Sequence, residues 1–264
     1  MDSHFLNKAA NYLWLLDPGC YRPVARERLW LVGHRGAHGR IAEGLAVENT
    51  LDAFELCLRN GIWGIELDIR LTGDGEPVVH HDPRCGRLFR RPDLIIAETG
   101  LEPLRRAIPA IPHLDEVVGR YAGRLHLMLE IKDSWRQRPS VVARIQKSLA
   151  ALEPCRDFHL LSLVPDHLSG FSAITPRAFI DVALTNTRDI IRKNLQLGHG
   201  GVAGSFALLD GRLVRELKAH ERQIGTGQVE LAAIARREIN RGIEWIFSDK
   251  VLQLQRRLRP IRTD

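Results

Sequence analysis

Three carboxylates and two imidazoles are the residues of this 264-residue chain whose types and spacing could do chemistry together. Glu66 and Asp68 stand two apart in the apolar run Gly64 to Leu71. On a strand, side chains at that spacing share one face, about 6.6 to 6.8 Å apart along the chain, while Ile65, Leu67 and Ile69 line the other. Two inward carboxylates repel unless a proton or a cation sits between them. Glu130, in the run Leu125 to Ile131, adds a third hard oxygen donor. One divalent cation is the economical answer, and oxygen-only ligands with no cysteine nearby favour Mg²⁺ or Ca²⁺ over zinc. The alternative is an ion network in which the same acids pair with Arg35, Arg70 and Lys132.

His34 and His81 flank the carboxylates in sequence. Imidazole, with an unperturbed pKa of about 6.5, suits proton transfer at neutral pH, one ring taking a proton and another giving it. His80 competes with His81, because adjacent residues of a strand face opposite ways and periodicity alone does not choose between them.

Residues so far apart meet only if the fold gathers strand ends. Short apolar runs predict eight strands: Trp30 to His34, Gly64 to Leu71, Leu125 to Ile131, Phe158 to Val164, Ala178 to Ala183, Gly201 to Phe206, Gln223 to Thr226 and Trp245 to Phe247. Helical periodicity predicts a helix after each: Thr50 to Asn60, Leu114 to Tyr121, Ser140 to Leu152, Asp166 to Ala173, Thr187 to Leu197, Gly211 to Glu221, Glu230 to Arg241 and Val251 to Leu258. Eight such units make an α/β chain with a single (β/α)8 TIM barrel, whose active sites lie at the C-terminal ends of the strands. Residues 30–264 form the expected barrel and 1–29 an N-terminal extension packed on it. The Pro- and Arg-rich stretch from Asp82 to Pro112 reads as an insertion after the second unit.

The pieces Gly33-His34-Arg35-Gly36, Glu48-Asn49-Thr50, Gly64-Ile65-Glu66-Leu67-Asp68-Ile69, Thr72-Gly73-Asp74-Gly75, Pro77-Val78-Val79-His80-His81-Asp82 and Leu129-Glu130-Ile131-Lys132 together resemble the glycerophosphodiester phosphodiesterase family, in order and in residue type. The resemblance implies hydrolysis of a glycerophosphodiester to glycerol 3-phosphate and an alcohol. It implies catalytic roles for His34 and His81, so selecting His81 over His80, and metal ligation by Glu66, Asp68 and Glu130. Arg35 and Lys132 match basic positions that would hold the phosphate, and Glu48 and Asn49 fall on a motif that would support the site. A lysophospholipase D type of activity and a non-catalytic phosphodiester-binding barrel are the alternatives.

Departures from the pattern also stand in the chain. Eleven residues, Ala37 to Val47, separate His-Arg-Gly from Glu-Asn-Thr. The seventh strand has Gly225 where the family carries a Trp, which predicts a wider mouth and altered headgroup preference. Ser248-Asp249-Lys250 lacks the usual following Pro.

A net charge of +6 favours anionic partners. The positive residues are spread out and aromatics are only 6%, which sets nucleic acid aside. No run approaches the ~20 apolar residues of a membrane span. Tyr12 to Leu16 could touch a membrane transiently, but five residues capped by Asp17-Pro18 are read as covering the barrel's bottom or flank. Arg84, Arg87, Arg90 and Arg91 around Phe89, and Arg256, Arg257, Arg259 and Arg262, are read as solvated surface. His38, His113, His126, His159, His167, His199 and His220 have no motif support and are taken as structural. Cys20, Cys57, Cys85 and Cys155 are spaced too irregularly for a zinc or redox motif, and the expected address is cytoplasmic.

Overall fold

The computed structural model describes residues 13–24, 29–41 and 44–258. Tyr12, Arg259 and Arg262 lie outside the described residues. Eight parallel strands close on themselves: β1 (Trp30–Gly33), β2 (Gly64–Leu71), β3 (His126–Ile131), β4 (Phe158–Ser162), β5 (Phe179–Val182), β6 (Gly201–Ser205), β7 (Gln223–Gly227) and β8 (Trp245–Ser248). Each pairs with the next, and β1 pairs with both β8 and β2, so no barrel edge is left open.

Alternation along the strands builds two cores. Outward-facing Ile65, Leu67, Ile69, Leu127, Leu129 and Leu160 join the large layer between strands and helices. Inward-facing Val32, Met128, Leu161, Ile180, Ala203, Trp245 and Phe247 fill the barrel itself. The surrounding helices are α1 (Leu51–Arg59), α2 (Leu114–Tyr121), α3 (Ser140–Leu149), α4 (Thr187–Leu197), α5 (Gly211–Ala219), α6 (Ala232–Asn240) and α7 (Val251–Leu258).

The helix expected over Asp166 to Ala173 does not form. A 3-10 turn, Pro165–His167, takes its place, and i→i+3 hydrogen bonds follow at Leu168, Phe171, Ile174 and Ala178. The buried anchors Leu168, Phe171 and Ile174 recur every three residues, which suits turns of that period and not an α-helix of 3.6.

After β2 the chain folds back as a short strand, Pro77–Val79, antiparallel to the strand's end. A two-stranded hairpin and the helices Gly86–Phe89 and Leu101–Ala107 follow, over their own small core of Val78, Cys85, Ile96, Leu104, Ile108 and Ile111. The loop between β1 and α1 carries a second hairpin, Gly39–Ile41 with Gly44–Ala46. Two 3-10 turns, Trp14–Leu16 and Pro18–Tyr21, lie on the flank against α6: Arg237 Nε donates to Asp17 at 2.8 Å and its guanidinium covers the Trp14 ring. Among the described residues no helix is long and apolar enough to cross a membrane.

Candidate active site

Strand register puts the three acids together. Asp68 on β2 lies directly beside Glu130 on β3, and Glu66 one inward position below. Their oxygens lie within 4.8 Å of one another, and all three residues are buried. Lys132 Nζ sits 2.8 Å from Asp68 Oδ1 and 2.6 Å from Glu130 Oε1, and Arg35 Nε 3.2 Å from Asp68 Oδ2. Glu66 receives only the Arg35 backbone N–H, at 3.0 Å on Oε2, and its Oε1 is buried without a hydrogen bond. Burial, with the neighbouring charge of Asp68 behind it, pushes the Glu66 carboxyl far above the usual carboxylate range. For Asp68, Lys132 and Arg35 outweigh the burial that opposes ionisation, and its pKa falls. Part of the acid cluster is therefore an ion network, as the alternative reading expects, with Glu66 outside it and His34 Nε2 3.9 Å away. Arg70 takes no part: it donates to the His81 carbonyl at 2.8 Å and lies 3.6 Å from Asp133.

His34 leaves β1 where that strand lies between β2 and β8. Its Nδ1 is 2.6 Å from Asp249 Oδ1, just after β8, and its Nε2 is 3.9 Å from Glu66. Burial works against its protonated form, yet the hydrogen bond to Asp249 and the Glu66 charge raise its pKa to about 9. His81 Nδ1 lies 2.7 Å from Asp82. Both rings line one cavity of about 300 Å³ at the strands' C-terminal ends, with Arg35, Glu66, Glu130 and Lys132. His80 does not: it is buried against Phe89, outside that cavity. The opposite wall is apolar, formed by Leu161, Leu163, Val182, Leu184 and Phe247 among others.

Local backbone explains the residue types. Arg35, Gly36 and Asn49 all have positive φ, at 57°, 80° and 58°. Gly36 is needed twice over, since a Cβ there would also come within 2.8 Å of the Ala53 Cβ. Asn tolerates the left-handed region, and Asn49 uses it to bridge loop and strand: Nδ2 donates to Asp68 Oδ2 at 2.7 Å, and Oδ1 accepts from the Asp68 N–H at 3.2 Å. Arg35 NH1 donates to Glu48 at 2.8 Å.

Two residues that matter were passed over in the sequence. Arg87, read as solvated surface, is a clamp from the insertion: it donates to Asp82 at 2.6 Å and to both oxygens of Glu48 at 2.6 and 3.0 Å. It thereby ties the partner of His81 to the partner of Arg35. Burial opposes ionisation of Glu48, but Arg87 and Arg35 hold its pKa at about 2. Asp249 stands out in the sequence only for the Pro missing after it. Its signal was available, as an acid closing the eighth strand beside the first, but that adjacency requires a closed barrel.

The mouth is not widened at Gly225. A Cβ there would lie 2.7 Å from Phe247 Cε2 and 3.3 Å from the Ala203 Cβ, because Phe247 from β8 takes up that space. Gly225→Ala is accordingly expected to destabilise the protein by ~1–3 kcal/mol through overpacking, read as a lower urea midpoint, and the same substitution made in a Phe247→Ala chain should cost little beyond what Phe247→Ala costs alone. An unchanged midpoint in the single variant would show that Phe247 moves freely.

Residues 34–253 match the Glycerophosphoryl diester phosphodiesterase family. A glycerophosphodiester phosphodiesterase of Bacillus altitudinis is 31% identical over 132 residues, 45% of this chain and 51% of that protein. Human glycerophosphodiester phosphodiesterase 1 is 36% identical over 88 residues, 33% of this chain and 25% of that protein. The matched stretches thus span about half of these relatives or less. Among solved structures, a phosphodiesterase of Oleispira antarctica in complex with the product sn-glycerol-3-phosphate superposes with a TM-score of 0.72 at 25% identity, covering 86% of this chain and 95% of that one. The Thermotoga maritima glycerophosphodiester phosphodiesterase shares the fold, with a TM-score of 0.70 at 23% identity over 88% of this chain and 98% of that one.

Proposed function

This chain belongs to the glycerophosphoryl diester phosphodiesterase family, and from that premise we propose that it hydrolyses glycerophosphodiesters, such as glycerophosphocholine or glycerophosphoethanolamine, to glycerol 3-phosphate and an alcohol. One observation carries the reading: two imidazoles, each tethered through Nδ1 to an aspartate, share one cavity with Glu66, Glu130, Arg35 and Lys132, and Asp68 completes the acid cluster behind them.

Glu66, Asp68 and Glu130 would hold one divalent cation, Mg²⁺ or Ca²⁺, and the orphaned, buried Glu66 Oε1 supports that fit. Bound there, the ion would neutralise charge on the phosphoryl oxygens. Arg35 and Lys132 would hold the phosphate from the same side and stabilise the charge that builds in the transition state. Tethering Nδ1 leaves Nε2 of each ring for the substrate. His34, whose protonated form the hydrogen bond to Asp249 favours, would donate to the leaving alkoxide as its P–O bond breaks. His81 would take the proton from the attacking oxygen as the new P–O bond forms. That oxygen belongs to water, or to the glycerol 2-hydroxyl, in which case water then opens the cyclic phosphate. Glu48, Asn49 and Arg87 position Arg35, Asp68 and Asp82.

The apolar wall favours a second reading within the same chemistry. Leu184 and Val164 are 49% and 46% exposed on loops beyond β5 and β4, so the single acyl chain on the glycerol of a lysophospholipid would find cover there. The free cysteines, three of them buried, support a reducing, cytoplasmic setting.

The test is release of choline or ethanolamine from glycerophosphocholine, glycerophosphoethanolamine and lysophosphatidylcholine, with glycerol 3-phosphate as the other product of the first two and lysophosphatidic acid of the third, each with added Mg²⁺ or Ca²⁺ and with EDTA. Cation-dependent release supports hydrolysis, and the preferred substrate decides between the two readings. Binding without release from any of them leaves a phosphodiester-binding barrel. Asp249→Ala and Arg87→Ala should each lower kcat by ~10- to 100-fold with a smaller change in KM, since they act through His34 and His81. Equal losses in kcat and in thermal stability would reduce both to structural roles.

A further inference from the structure

A second cluster of donor atoms lies on the far side of His34. One ring nitrogen each of His34 and His38 and the Asp249 carboxylate lie within 4.8 Å of one another, with His34 Nδ1 2.6 Å from Asp249 Oδ1. His38 Nε2 is 3.4 Å from Asp249 Oδ1, and it is buried without a hydrogen bond. A cavity of about 240 Å³, lined by His38, Gly39, Arg40, Asp249 and Lys250, opens beside it. Lys250 is paired with Glu230 at 2.5 Å, which offsets its charge.

We propose that His34 Nδ1, His38 Nε2 and Asp249 form a second metal site, for a zinc-type transition ion, distinct from the Glu66, Asp68 and Glu130 cluster and inhibitory when filled. Two imidazoles and one carboxylate suit Zn²⁺, Co²⁺ or Ni²⁺, whereas Mg²⁺ and Ca²⁺ prefer oxygen. Bonds of about 2.0–2.2 Å in a tetrahedral sphere place ligand atoms roughly 3.3–3.5 Å apart. The His38–Asp249 separation already meets that. The 2.6 Å hydrogen bond between His34 and Asp249 must open by less than an ångström, and the half-exposed Asp249 has room to turn. The fourth position would go to a water in the cavity.

Inhibition follows from the lost ring proton. A metal on Nδ1 takes the place of one of the two protons of the imidazolium, so the proton left on Nε2 would have to come from a neutral ring, a far weaker acid. It also takes Asp249 away from its task of charging the ring. This consequence rests on the proposed catalytic role of His34, while the site itself does not.

The probe is Zn²⁺ titrated by calorimetry into the chain saturated with Mg²⁺, with Co²⁺ absorption as a check on tetrahedral geometry. One Zn²⁺ should bind without displacing Mg²⁺, and His38→Ala and His38→Gln should each weaken it by ~10- to 100-fold. Both variants should keep the unmodified chain's turnover in Mg²⁺ and lose its inhibition by Zn²⁺ to the same extent. Zn²⁺ binding unaffected by His38 replacement, Zn²⁺ that only competes with Mg²⁺, or no binding at all would overturn the site. His38-dependent binding in a chain that hydrolyses nothing would keep the site and remove the proposed function instead.

Discussion

Replacing His34 or His81 with alanine is expected to lower kcat by at least ~10²- to 10⁴-fold, the range that positioned proton transfer contributes, with KM changed far less. The split follows from what each ring touches. Each is held through Nδ1 by an aspartate and lines the cavity, while the proposed phosphate contacts are those of Arg35 and Lys132. The double variant should be little worse than the poorer single one, because donor and acceptor serve one displacement and their losses do not add. His80→Ala is the control: its ring packs against Phe89 outside the cavity, so it should cost stability and leave kcat near that of the parent. Measured single-substrate kinetics in which either His34→Ala or His81→Ala retains near-full turnover would end that residue's assignment.

Glu66→Gln should abolish cation-dependent activity, by ~10²-fold or more, and with it cation binding measured calorimetrically. Its effect on the metal-free protein is the more discriminating result. The folded-state pKa of Glu66 is raised, so its stabilising contribution is present below the ordinary carboxylate pKa and lost as pH rises through the higher folded value. His34 acts in the same direction: its contribution is present below about 6.5 and lost as pH rises through about 9. Asp68 and Glu48 have lowered values, so what they contribute is already complete above pH 5. His126 and His159, buried with lowered pKa values, likewise contribute fully above about 6.5.

The EDTA-treated protein should therefore lose Tm steadily between pH 6.5 and 9. Mg²⁺ or Ca²⁺ should restore it, by about 2.7 kcal/mol at a concentration 100 times Kd, and more at the alkaline end. Metal-free Glu66→Gln carries no buried charge at this position and should outlast the metal-free parent at pH 9. If the acids were only an ion network with Arg35 and Lys132, the same substitution would destabilise at that pH. Thermal melts of the two proteins at pH 6.5 and 9 decide between these outcomes.

How much of this was legible in the sequence follows from what one dimension records. Strand alternation fixes which face of its own element a residue takes, so Glu66 and Asp68 were readable as inward and Ile65, Leu67 and Ile69 as outward. Eight apolar runs were enough to imply eight staves, because each must bury one face on its neighbours and the other under helices. The one missing helix was misread because its anchors, Leu168, Phe171 and Ile174, repeat every three residues, close enough to a helical period to pass.

Everything that crosses between elements had to wait for the closed barrel. That Asp68 lies beside Glu130 depends on the β2–β3 register, and that Asp249 reaches His34 depends on the eighth strand returning to the first. Arg87 meets Glu48, 39 residues away, only because the insertion folds back over the mouth. Phe247 fills the space beside Gly225 for the same reason, since contacts of a few ångströms between distant residues are set by packing and leave no periodic trace in the chain. The sequence by itself determined the barrel and which side-chain types stand at its strand ends, and the tertiary structure alone decided which partners orient them.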